Sequence, residues 1–140
     1  MKVSNFNIVN MLSTLNEFEE KKLPQKISYA ITRNIVLLNS DYDCYMKSLN
    51  KILKTYESEM VKDIDGNIIY GDNGLPIVNE KVSKEFNEEI VSLLNIELDI
   101  DIYHIQEDLF NYDDEKYDSL SAKDILRLQS VLCEWKTTNF

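Results

Sequence analysis

Between Ile31 and Tyr56 the apolar residues alternate steps of four and three: Ile31, Ile35, Leu38, Tyr42, Tyr45, Leu49, Ile52 and Tyr56. That spacing keeps one continuous apolar stripe on the side of an α-helix. A second row, Ala30, Leu37, Met46, Leu53 and Met60, widens it, and no Pro or Gly stands between Pro24 and Gly66. The pattern predicts a single helix over about 24–60, with Pro24 in the first turn, where its missing N–H has no intrahelical partner to lose. At 1.5 Å per residue such a helix is roughly 50 Å long, more than the width of a compact domain of this length. Part of it is therefore expected to project or to pair with another chain. Tyrosine at three seam positions argues against a plain coiled coil, which prefers Leu and Ile there. A buried tyrosine needs a partner for its hydroxyl, so the seam is expected to pack against dissimilar elements of the same fold.

The rest of the chain supplies those elements. Ile8, Met11, Leu12, Leu15 and Phe18 recur at helical spacing and predict a helix over about 5–21. Asp65-Gly66 and Gly71-Asp72-Asn73-Gly74 are turn sequences, and with the short apolar runs beside them they predict a β-hairpin over about 64–79. A helix over about 80–95 follows, burying Val82, Phe86, Ile90, Val91, Leu93 and Leu94. Ile96 to Ile102 alternates apolar and acidic residues, the pattern of a half-buried strand over about 96–103. Ser121 starts a last helix over about 122–136, with Ile125, Leu128, Leu132 and Trp135 on its apolar face. The fold class is mainly helical α+β in a single domain, 1–140. One long central helix is joined by three shorter helices and a small antiparallel sheet of about three strands, the hairpin supplying the partners of the acidic strand. No internal repeat is evident.

Composition narrows the function. The charge is uneven: eight Lys/Arg against seven Asp/Glu over residues 1–60, and seven against eighteen over 61–140. An acidic half of this kind disfavours direct nucleic-acid binding, which needs cations at the phosphates. It favours a protein partner with a basic surface. No apolar run reaches the roughly 18 residues of a membrane span, and the first twenty residues do not read as a signal peptide. Cys44 and Cys133 fall in separate helices outside any CxxC pair and read as reduced thiols in or near the core.

No catalytic residue and no cofactor is expected. His104, the one histidine, has no nucleophile or second base beside it in any recognisable motif. In the run from Asp63, Gly66 stands fourth, Ile68 sixth and Gly74 twelfth. A calcium loop needs Gly at six and a carboxylate at twelve, so the run is a turn and not a metal site. The candidate partner-binding residues are the carboxylates of the strand, Glu97, Asp99 and Asp101, and of the acidic loop after it, Asp113, Asp114, Glu115 and Asp118. Their plainer reading is a solvated face. Tyr29, Arg33 and Asn34, within one turn of each other on the long helix, form a secondary candidate; their plainer role is to brace the junction with the first helix.

The run Leu23-Pro24-Gln25-Lys26-Ile27-Ser28-Tyr29-Ala30-Ile31-Thr32-Arg33-Asn34 resembles a motif, L-P-x-K-x-S-Y-A-I-x-R-N, of a family of small uncharacterised proteins encoded by phages and prophages of Gram-positive bacteria. The likeness continues at Asp63-Ile64-Asp65-Gly66-Asn67, where family members carry a DEDGN hairpin, at Glu88 to Ile100 and in the closing helix. The acidic loop near Asp113–Asp118 departs from the family pattern. The family brings no catalytic residues. The resemblance implies a protein of the host cytoplasm that modulates a host protein, for example as an inhibitor of a defence or nucleic-acid-handling system. The alternative is a structural or assembly protein whose long helix self-associates into a homo-oligomer.

Overall fold

The computed structural model describes residues 1–134. Trp135 and the predicted last residues of the final helix lie outside the described residues. The element order is β1 (Lys2–Ser4), α1 (Asn5–Phe18), α2 (Gln25–Thr55), a 3-10 turn (Glu57–Glu59), α3 (Glu80–Leu94), β2 (Glu97–Asp99), a second 3-10 turn (Glu107–Phe110) and α4 (Ala122–Leu132). This is the mainly helical α+β class, with one long helix, three shorter ones and a small antiparallel sheet. The chain divides into two compact units, Met1–Tyr42 with the chain from Glu97 onward, and Asp43–Ile96. Helix α2 contributes its first part to one and its last part to the other.

In the first unit Ser4 ends β1 and caps α1, its hydroxyl accepting from the Asn7 N–H at 3.2 Å. One core gathers Ile8, Leu12, Leu15 and Phe18 of α1, Ile27, Ile31, Ile35 and Leu38 of α2, Ile100, Ile102 and Phe110 of the following segment, and Leu128 and Leu132 of α4. Each such side chain, fully withdrawn from water, is worth roughly 1.5–3 kcal/mol. At the surface Arg127 of α4 forks onto Glu17 of α1, with N···O distances of 3.0 and 2.5 Å, and lies 5.5 Å over the Phe18 ring. The Arg127 hydrogen bonds hold the Glu17 carboxyl below the usual carboxylate range.

The sheet departs from expectation. It has two strands, and the partner of β2 is β1, antiparallel, with Lys2 opposite Asp99, Val3 opposite Leu98 and Ser4 opposite Glu97. The strand expected over 96–103 shrinks to Glu97–Asp99, the span that faces Lys2–Ser4, and just past it the Ile100 N–H donates to the Met1 carbonyl at 3.0 Å.

In the second unit Leu49 and Tyr56 bury against Val78 and against Phe86, Ile90 and Leu93 of α3. Val91, expected inside, is exposed, because it stands about 100° around the helix from Ile90. Cys44 is likewise exposed, not in the core. Helix α2 ends at Thr55 and not near 60: Tyr56 leaves helical geometry (φ −100°, ψ 9°) with its ring set edge-on to Phe86 at 5.1 Å. A hydrogen bond to Glu89, then burial, then the charge of Glu85, push the Tyr56 hydroxyl well above the usual tyrosine range.

The predicted hairpin is part of a three-armed platform. Residues 60–62, 68–70 and 76–78 pair cyclically through the bridges Met60–Val78, Lys62–Ile68 and Tyr70–Pro76. At the centre the Ile69 N–H donates to the Val61 carbonyl (3.0 Å), Ile77 to Ile69 (2.9 Å) and Val61 to Ile77 (2.8 Å). Two of the three steps around the triangle, Val61 to Ile69 and Ile69 to Ile77, advance by the same number of residues along the chain, eight, and the third returns from Ile77 to Val61. Two turns close it, at Asp63–Asn67 and Gly71–Leu75, and the Asn79 N–H closes the third side on the Glu59 carbonyl at 2.7 Å. The Asp63 carboxylate organises the first turn by accepting from the Asp65 and Asn67 N–H groups, and the Asn73 side chain serves the second. This eight-residue period is an internal repeat that the sequence reading missed.

Gly66 and Gly74 occupy equivalent places in the two turns, at φ +81° and +78°, and an added Cβ would meet nothing within 4 Å at either. The cost of alanine there is backbone strain alone. Gly66→Ala and Gly74→Ala should each lower unfolding stability by about 1–2 kcal/mol in urea melts.

Tyr56 sets an alkaline limit on the same unit. Its raised folded-state pKa means that its contribution is complete below the unfolded tyrosine pKa of about 10 and is lost as pH climbs from there through the folded value. Stability measured from pH 9 upward should therefore fall, and Tyr56→Phe should reduce the slope of that fall.

Candidate functional site

From Glu97 to Tyr103 burial alternates without a break. Glu97, Asp99, Asp101 and Tyr103 are exposed, whereas Leu98, Ile100 and Ile102 are half or fully buried. Three carboxylates and a tyrosine thus share the outer side of one extended segment, spaced about 6.6 Å apart along it. Lys2 lies 3.8 Å from Asp99, an exposed pair of little energetic weight.

The segment is fastened at Tyr103. The Asn34 side chain, wholly buried on α2, accepts from the Tyr103 N–H at 2.8 Å and donates to the Tyr103 carbonyl at 2.9 Å. A side-chain amide here takes the place of a neighbouring strand and satisfies both polar groups of one residue. Asn34 therefore braces this segment and not the junction with α1, the role the sequence reading had set against a binding one.

Asn34 also fixes what stands beside it. The Tyr103 ring meets Tyr29 edge-to-face at 5.6 Å and 83°. The Arg33 guanidinium sits 5.2 Å from the Tyr103 ring centroid, and its Nη1 donates to the Tyr29 hydroxyl at 3.0 Å. Tyr29 and Tyr103 remain 47% and 39% exposed. Among the described residues no carboxylate lies within ion-pair distance of Arg33. Val36 and Leu37, three and four residues on and so neighbours of Arg33 on the helix surface, are exposed as well. The sequence placed Tyr29, Arg33 and Asn34 together. It missed Tyr103, although Tyr103 shares the parity of Glu97, Asp99 and Asp101 and extends their outward row.

The acidic loop divides in role. Asp118 is tied down: its Oδ2 accepts from the Lys22 N–H at 2.7 Å, its own N–H donates to the Lys22 carbonyl at 2.7 Å, and its carbonyl accepts from the Tyr112 hydroxyl at 2.6 Å. Burial, and then Asp118, raise the pKa of Tyr112. Asp114 pairs with Lys116 at 3.7 Å, and Lys116 lies 5.0 Å over the Tyr117 ring. Asp113 and Glu115 are exposed.

An open groove of about 890 Å³ is lined by His104, Glu107, Asp108, Gln129, Cys133 and Glu134 among others. His104 lies 3.8 Å from Glu134, itself 80% exposed. Burial, reinforced by Glu107, pushes the Cys133 thiol up, away from the thiolate a nucleophile needs. No cluster of three or more His, Cys, Asp or Glu suited to a metal occurs among the described residues, and no helix among them is long and apolar enough to cross a membrane. No family model, no curated protein and no solved structure matches the chain.

Asn34→Leu should strand the Tyr103 N–H and carbonyl, at about 1–3 kcal/mol for each group left unpaired. Asn34→Asp can make both bonds only as the neutral acid, because its charged form would be buried against the Tyr103 carbonyl. In urea unfolding the Asn34→Asp loss should shrink from neutral to mildly acidic pH while the Asn34→Leu loss does not, and parallel losses would contradict the pair of hydrogen bonds to Tyr103.

Proposed function

We propose that the protein is a protein-binding modulator, not an enzyme, and that its partner docks on the outer face from Glu97 to Tyr103 and on the adjoining Tyr29 and Arg33. The observation that carries this reading is the exposed pair of tyrosines holding an arginine that has no carboxylate partner, in a chain of net charge −10. Tyr and Arg are the residues on which binding energy concentrates at protein interfaces. The cluster is organised in advance by Asn34, so little side-chain freedom remains to be lost on binding. The carboxylate row beside it suits lysines or arginines of the partner, and Arg33 suits one of its carboxylates. Asp113 and Glu115 add to the same acidic field, whereas Asp118 and Asp114 are engaged within the loop.

The resemblance to small phage and prophage proteins supports a bacterial host protein in the cytoplasm as the target, with inhibition of a defence or nucleic-acid-handling system as the outcome. Exposed Val36 and Leu37 on α2 favour a second reading, in which that helix face pairs with another copy of the chain.

Affinity capture from a host lysate followed by mass spectrometry should yield one dominant protein. Against that purified protein, Arg33→Glu and Tyr103→Ala should each weaken binding by more than tenfold, and raised salt should weaken it further. Binding indifferent to both substitutions and to salt would refute the docking face. A dimer in sedimentation, abolished by Val36→Glu, would favour the second reading.

A further inference from the structure

Of the large apolar side chains that stand exposed, Val61, Ile64, Ile69, Tyr70 and Ile77 are drawn from a stretch of 17 residues, all of it the three-armed platform. Three of them are its centre. Val61, Ile69 and Ile77 are the residues whose N–H and carbonyl groups close the hydrogen-bonded triangle, and they are 38%, 37% and 43% exposed. Their arm neighbours Met60 and Val78 turn the other way, into the core with Phe86. Because side chains alternate across a strand, the platform has an inner face that packs and an outer face with an aliphatic triad at its middle. The triad's backbone is locked on all three sides, so the patch is rigid as well as apolar.

The stretch of chain that carries the triad is acidic. Residues 57–79 carry Glu57, Glu59, Asp63, Asp65 and Asp72 against the single cation Lys62. A second copy would bring an equally acidic segment against this one, which opposes self-pairing. A partner with an apolar anchor flanked by Lys or Arg meets both features at once. We infer that the outer face of the platform is a docking surface for a basic, apolar-anchored segment of a protein partner. It is separate in residues from the Tyr29–Arg33–Tyr103 face and stands whether or not that face binds.

The probe is a fluorescein-labelled peptide alternating leucine and lysine, read by anisotropy against the full chain, beside a serine–lysine peptide of equal charge. Saturable binding of the leucine–lysine peptide is expected, with the serine–lysine peptide at least about tenfold weaker. The decisive variant is Ile69→Asp, at an exposed position outside the two buried cores. If charge alone drives the association, the added carboxylate strengthens it. Docking on the triad requires a loss of at least about tenfold. Val61→Ser/Ile69→Ser/Ile77→Ser should lose binding likewise while circular dichroism and the urea midpoint report the fold. If that triple variant unfolds, Ile69→Asp decides alone. Failure to bind the leucine–lysine peptide, equal binding of the two peptides, unchanged or tighter binding by Ile69→Asp, or a self-association that Ile69→Asp abolishes would each overturn the proposal.

Discussion

Helix α2 must cover its apolar stripe along its whole length, and each unit is assembled from the residues that cover one share of it. Ile27, Ile31, Ile35 and Leu38 are closed over by α1, α4 and the segment after β2. Leu49, and Tyr56 just past the helix end, are closed over by α3 and the inner face of the platform. The tyrosines of the seam explain why the coverings differ. Tyr56 cannot be covered by aliphatic side chains alone, because its hydroxyl needs an acceptor, and Glu89 on α3 supplies one. A seam of Leu and Ile would accept any apolar surface, including its own copy. This seam demands particular partners, and one helix contributes residues to two different cores.

The same demand for satisfied polar groups shapes the candidate face. An extended segment laid on a core must find partners for its N–H and carbonyl groups. From Glu97 to Ile100 the short β1 provides them. At Tyr103 a single buried amide on α2 does so instead. Asn34 is costly to bury and earns its place only by making both bonds, which it can do only with the Tyr103 backbone held in one position. The tyrosine ring is thereby delivered to Tyr29 and Arg33. A structural necessity of the backbone thus creates an ordered, exposed aromatic–cation cluster.

The division between what was legible in the sequence and what was not follows the range of the interactions. Helical spacing is local, so all four helices, the Ser121 start of α4 and the inward row of α2 were readable, and the turn glycines were as well. Helix ends were less so, because α2 stops where Tyr56 meets Phe86, thirty residues away in sequence. Pairing was not readable: Lys2-Val3-Ser4 is too short to announce itself as the partner of Glu97–Asp99. The platform left a trace that was passed over, for Val61, Ile69 and Ile77 stand eight apart, as do Gly66 and Gly74. An apolar–turn period that short reads as one hairpin unless a third arm is sought. In the candidate site, Tyr29, Arg33 and Asn34 were visible as helix neighbours, whereas Tyr103 joins them only through a contact 69 residues long.

Charge then separates two kinds of surface. Arg127 is drawn to Glu17 and Lys116 to Asp114. Arg33 is instead held by a hydroxyl and a ring, which orient the guanidinium without neutralising it. Under the docking proposed above, a partner's basic residues would be guided to the carboxylates and one of its acidic residues would register at Arg33. The platform differs, with exposed aliphatic side chains at its centre. If both faces dock partners as proposed, a segment suited to one is poorly suited to the other: the first would take a basic stretch that ends in a carboxylate, the second an apolar anchor between cations.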